Sequence, residues 1–162
     1  MVKIQLYLSA IRCWGDYMKD FIIYLSGGMM NFGSDKFEKS NNWREYCKKA
    51  LESYDCDYKV KVFNPNDYFS FKLNAPKYSS ESEVMRFDLY NLRKSDLLIV
   101  NYNDKKSLGT MSEIAIAYDR GIPIIALNRD CGQLHPWQEC MPERIFNDID
   151  DMIDYIEDFY LR

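Results

Sequence analysis

Residues 97–127 read LLIVNYNDKKSLGTMSEIAIAYDRGIPIIAL. Two apolar runs, LLIVNY (97–102) and IPIIAL (122–127), flank a helical pattern from Thr110 to Arg120. Short runs without polar alternation read as strands covered on both faces. Two such strands joined through a helix make a βαβ unit, and its strands lie parallel. The same alternation extends towards the N-terminus. FIIYL (21–25) is another buried strand, ending at Ser26-Gly27-Gly28. Residues 38–53, EKSNNWREYCKKALES, place Trp43, Tyr46, Cys47, Ala50 and Leu51 at helical spacing. YKVKVF (58–63) alternates as a strand and stops at the turn cluster Asn64-Pro65-Asn66-Asp67. Residues 80–94, SESEVMRFDLYNLRK, give a helix with Ser80 as N-cap and Val84, Phe87 and Leu92 towards the core. A last helix falls within 148–160. The links 64–79 and 128–147 are expected to be long and irregular. Both leave strand C-termini, where open α/β sheets bind ligands.

At 162 residues the chain suits one domain with a substantial core. Hydrophobic residues at 47% and charged residues at 28% exclude a disordered chain. A net charge of −4 and a pI near 5.1 advertise no basic surface, so a nucleic acid polymer is not an expected partner. No run approaches the length of a membrane span, and IQLYLSAI (4–11) is too broken by polar residues for a signal peptide. The five cysteines, at 13, 47, 56, 131 and 140, form no C-x-x-C pair and leave one unpaired in any full scheme. That suits a reducing compartment, and a cytoplasmic protein is expected. Cys131, His135 and Cys140 offer only three candidate metal ligands at irregular spacing, so a zinc site is not expected. IQLYLSAI also resembles IIYLSGGM (22–29), and MKDFIIYLSGG from Met18 looks like a natural start. Residues 1–20 are therefore set apart as an extension, either upstream sequence or an element lying on the domain of 21–162.

Glu113 has two readings. Thr110-Met-Ser-Glu113 fits the S/T-x-x-E capping box, in which the glutamate satisfies a backbone N–H at the helix start. Alternatively, Glu113 presents a carboxylate to a cleft, held ionised by the helix N-terminus. Tyr24, in the first core strand, and Asp88, in the helix of 80–94, fall at the same edge of the inferred sheet. Gly27 and Gly28 offer backbone N–H groups to an anion or simply make a tight turn. Asn64-Pro65-Asn66-Asp67-Tyr68-Phe69 either walls a pocket, with Tyr68 or Phe69 stacking, or is ordinary turn chemistry.

IYLSGGM (23–29), FDLYNLRKSD (87–96), LLIVNY and SLGTMSEIAIAYDRGIPIIAL (107–127) resemble the nucleoside 2-deoxyribosyltransferase family. The resemblance covers about residues 21–130. It implies a flavodoxin-like (Rossmann-like) α/β three-layer sandwich with a mainly parallel five-stranded sheet, and a homo-oligomer. It also implies cleavage of the N-glycosidic bond of a deoxynucleoside without a cofactor. Glu113 matches the family nucleophile, Tyr24 the tyrosine that orients it, and Asp88 the aspartate that manages the base's proton. Ser26, Gly27, Gly28, Ser107 and Gly109 fall where substrate binds. The implied ligands are a small-molecule deoxynucleoside or deoxynucleotide and a free nucleobase. Ser107 stands where the transferases often carry aspartate, and in this it is similar to the related 2′-deoxynucleoside 5′-phosphate N-hydrolases. The loop SGGMMNF, however, lacks the Arg and Ser that those hydrolases present to phosphate. Sugar transfer, hydrolysis of a deoxynucleotide and nucleotide binding without turnover are the three expectations, in that order.

Overall fold

Along β1 (Lys19–Gly27) successive side chains point to opposite faces of a sheet, and both faces are covered. Ile23 and Leu25 join one apolar cluster, whereas Tyr24 joins another on the far side. The computed structural model describes residues 18–29, 36–68 and 80–162. After β1 come α1 (Lys36–Ser53), β2 (Tyr58–Phe63), α2 (Glu81–Leu92), β3 (Leu97–Asn101) and α3 (Leu108–Asp119). They are followed by β4 (Ile124–Leu127), α4 (Pro136–Cys140), β5 (Arg144–Phe146) and α5 (Ile149–Tyr160). The strands form one five-stranded sheet in the order β2-β1-β3-β4-β5, parallel at every pairing.

Trp43, Cys47 and Leu51 of α1 pack on one face with Met152 and Ile156 of α5. Leu92 of α2 and Ile114 and Ala117 of α3 cover the other. This is the three-layer α/β sandwich of flavodoxin-like and Rossmann-like domains. The apolar runs of β3 and β4 are buried throughout because helices shield both of their faces. Each fully buried Leu or Ile there contributes roughly 1.5–3 kcal/mol. The chain steps outward from β1 to β2, then returns past β1 to β3. Connections leaving the C-terminal ends of β1 and β3 therefore diverge and open a crevice between them.

Several local expectations change. The link 128–147 is not irregular, since it holds α4 and β5. β5 is a three-residue edge strand with only Phe146 buried, too short to show a period. α4 is capped by His135, whose side chain accepts from the backbone while Gln138 Oε1 accepts from His135 N. Phe87 is not core: it is 37% exposed and packs outside on Phe63 and Tyr68. Tyr46 is half exposed, with its hydroxyl donating to Asp150 at 2.6 Å. β1 begins at Lys19, inside the range set apart as an extension. The resembling segment 4–11 lies outside the described residues. Among those described, no helix is long and apolar enough to cross a membrane.

Candidate active site

Tyr24 and Ser26 are two residues apart in β1, so both face the layer that contains α3. Glu113 meets them there. Tyr24 Oη donates to Glu113 Oε1 at 2.7 Å, and Ser26 Oγ donates to Oε2. The capping box is not formed. α3 starts earlier than Thr110, with Ser107 as its N-cap; Ser107 Oγ accepts from Thr110 N at 3.3 Å. Glu113 thus sits in the second turn, beyond the strongest reach of the helix dipole, and two hydroxyl donors hold its carboxylate instead.

A cleft of ≈ 420 Å³ opens at this point between the end of β1 and the start of α3. It gathers Ser26, Gly27, Asp88, Ser107, Gly109 and Glu113, with Tyr24 buried behind Glu113. A Cβ at Gly109 would meet nothing within 4 Å, so the backbone borders open space that a ligand can approach. Pro65 also lines the cleft, and Tyr68 stacks on Phe63 at 4.8 Å. Phe69 lies outside the described residues. The Gly28 N–H donates to Asn103 Oδ1 at 3.0 Å. A Cβ there would stand 2.5 Å from Asp104 Cβ, so glycine is required by the close approach of the β3–α3 loop. Lys105 pairs with Asp130 at 2.6 Å, and Lys106 lines the cleft.

The two carboxyl groups experience different surroundings. Asp88 Oδ1 is buried and has no hydrogen-bond partner among the described residues. Burial, and then the negative charge of Glu113, push the Asp88 pKa up to about 7. Burial also raises Glu113, but the Ser26 and Tyr24 hydroxyls and the Arg44 charge oppose it. Burial first and Glu113 second keep the Tyr24 phenol protonated and able to donate. Two hydroxyl donors and a cation favour the anion of Glu113, whereas burial and the Glu113 charge favour the protonated form of Asp88, which suits Asp88 as an acid.

Sequence reasoning missed Arg44. It lies in α1, is 1% exposed, lines the cleft, and donates from Nη2 to Gly27 O at 2.7 Å. Burial lowers its pKa to about 10, so it remains charged at neutral pH. The available signal was its position: Arg44, Cys47 and Leu51 are spaced i, i+3, i+7 and share one helix face. Among the described residues, no group of three His, Cys, Asp or Glu side chains is placed to hold a metal ion.

The profile of a family described as Nucleoside 2-deoxyribosyltransferase matches residues 23–155. The chain belongs to that family. Nucleoside 2-deoxyribosyltransferase family members are enzymes acting on small nucleosides or nucleotides and their bases. No curated protein sequence matches this chain. Among solved structures, it is similar to a conserved protein from Enterococcus faecalis V583, with 18% identity and a TM-score of 0.68 over 85% of this chain and 98% of that one. It is also similar to the 2-deoxyribosyltransferase of Bacillus psychrosaccharolyticus, with 19% identity and a TM-score of 0.65 over 83% and 91%. A Clostridium botulinum CMP N-glycosidase gives 17% identity and a TM-score of 0.55 over 85% and 99%. At these identities the structural likeness speaks for the fold alone.

Proposed function

We propose that this family member cleaves the N-glycosidic bond of a 2′-deoxynucleoside and transfers the sugar to a second base through an ester with Glu113. One observation carries the reading: Glu113 is held by Tyr24 and Ser26 in a cleft that also presents Asp88, whose Oδ1 has no hydrogen-bond partner among the described residues. A Glu113 oxygen attacks C1′ as the C1′–N bond breaks, and the bonding electrons leave with the base. Asp88 donates its proton to the departing base. An incoming base then attacks C1′, the Glu113 carboxylate leaves, and Asp88 takes a proton back. The outcome is retention, through an oxocarbenium-like transition state.

Hydrolysis of a deoxynucleoside 5′-monophosphate is the second reading. Lys106 and Ser107 favour it, since both line the cleft beside the start of α3, where a phosphate would be attracted. A second copy of the chain is the proposed protein partner; Leu108, 84% exposed at the cleft, is an apolar side chain that such a contact would cover. The cytoplasm is the proposed location, as the unpaired cysteine count suggests.

The test is exchange of a labelled base into a deoxynucleoside, measured beside release of free sugar. Label exchange supports transfer. Fast release of deoxyribose 5-phosphate from a monophosphate, without exchange, replaces it with hydrolysis. Glu113→Ala should lower either activity by at least about 10³-fold and remove the deoxyribosyl adduct seen by intact mass. Undiminished activity in that variant would leave Glu113 without a chemical role.

A further inference from the structure

We propose that Arg44, together with Ser26, is a positioning pair that keeps the negative charge of the two cleft carboxyls on Glu113 and leaves the proton on Asp88. The inference rests on the reading of the cleft given above and explains how two similar groups receive different tasks.

Arg44 belongs to the helix layer opposite α3, yet it reaches the cleft around the end of β1. Contacts with Gly27 and Trp43 help to fix it. Nη2 donates to Gly27 O, and the guanidinium lies 4.7 Å from the centre of the Trp43 ring. Gly27 makes the route possible: a Cβ there would stand 3.1 Å from Trp43 Cζ2 and 3.2 Å from Arg44 Nη2. The groups around the pair come from every neighbouring element. β1 supplies the Tyr24 and Ser26 hydroxyls, α1 supplies Arg44 and the Cys47 thiol, and α2 supplies Asp88. Asp104 and Lys106 stand at the mouth on the β3–α3 loop. Lys106 is exposed, so Arg44 is the buried cation lining the cleft with Glu113 and Asp88 among the described residues.

Two carboxyls sharing a cleft with one buried cation reach neutrality with one proton between them. Which group keeps the proton is decided by the donors. Glu113 receives both hydroxyls, one on each oxygen, whereas Asp88 Oδ1 receives none among the described residues. The Arg44 charge also acts on Glu113, and Glu113 in turn raises Asp88. Ser26 therefore works through Glu113.

The experiment is a carboxyl-¹³C NMR titration of the full chain, with Glu113→Gln and Asp88→Asn used to assign the two signals. In wild type, Glu113 should ionise at lower pH than Asp88. Arg44→Gln should raise the Glu113 midpoint by about one pH unit or more, and Arg44→Lys should restore most of that shift. Ser26→Ala should raise it by about one unit with the fold unchanged by circular dichroism. If Arg44→Gln does not fold, Ser26→Ala and Arg44→Lys carry the test. A Glu113 midpoint that stays put in Ser26→Ala and in the folded Arg44 variants overturns the proposal. A purely structural Arg44 would lower the melting temperature alike in both Arg44 variants without moving either midpoint. Base release assayed on the same proteins separates the two readings. Split midpoints without base release would refute the proposed function alone; base release with unmoved midpoints would refute only this assignment.

Discussion

Replacing Asp88 with asparagine should make the protein more stable and less active at the same time. In the unfolded chain this carboxyl ionises near 3.8, whereas burial and Glu113 raise it to about 7 in the fold. Between those values the folded state retains a proton that the unfolded state has lost. Stability therefore falls as pH rises through that window, and the full penalty is present above about pH 7. At 1.36 kcal/mol per unit the whole shift corresponds to about 4 kcal/mol, and partial solvent access to Asp88 reduces this to about 2 kcal/mol. Asparagine has the same shape and no charge to desolvate. Thermal melts of wild type and Asp88→Asn at pH 4, 6 and 8 should show no gain at pH 4. At pH 8 the gain should be about 4–8 °C, at about 2–4 °C per kcal/mol for a domain of this size. Base release should drop by roughly 10²–10⁴-fold because the amide has no proton to give. An equal melting-temperature difference at pH 4 and pH 8 would show that Asp88 ionises normally and would refute the argument for its role as acid.

Tyr24→Phe keeps the ring stacked 5.2 Å from Phe63 but removes one donor to Glu113, so base release should fall about 10–100-fold with little change in denaturation midpoint. Gly28→Ala sets a Cβ 2.5 Å from Asp104 Cβ and should cost about 1–3 kcal/mol by urea denaturation; Asp104→Gly in the same chain should recover most of it. Ser107→Ala removes the N-cap of α3 and should cost about 1 kcal/mol. If a monophosphate is the substrate, the same change should cripple its turnover, while turnover of the unphosphorylated nucleoside should change only modestly.

What the sequence disclosed depended on period and length. FIIYL, LLIVN and IIAL are continuous apolar runs because both faces of a parallel strand are covered, and all three became central strands. β5 was illegible because Arg-Ile-Phe is too short to carry a period, and its role comes from pairing with β4. α4 was hidden because histidine is an unusual cap. At α3 the sequence pattern offered Thr110 as the cap, whereas Ser107, three residues earlier, takes that place in the fold. The earlier cap leaves Thr110 buried within the helix and carries Glu113 to Tyr24 and Ser26. Arg44 went unrecognised because an arginine in an amphipathic helix is by default solvent-facing. Its burial follows from the bare Gly27 opposite it, a long-range fact that local pattern does not contain.

The hydrogen bond between Tyr24 and Glu113 joins residues 89 positions apart, in a sheet whose neighbouring strands β1 and β3 are not consecutive in the chain. Closing a loop of that length carries an entropic cost on the order of 4 kcal/mol before any contact in the cleft compensates for it. The helices form on the microsecond scale, but the cleft requires β1 to find β3 after the chain has already detoured through β2. Refolding followed by far-ultraviolet circular dichroism should therefore run ahead of refolding followed by recovered turnover. In a cell, the nascent chain would acquire most of its helix content while still catalytically silent, with competence arriving only once the middle of the sheet has closed.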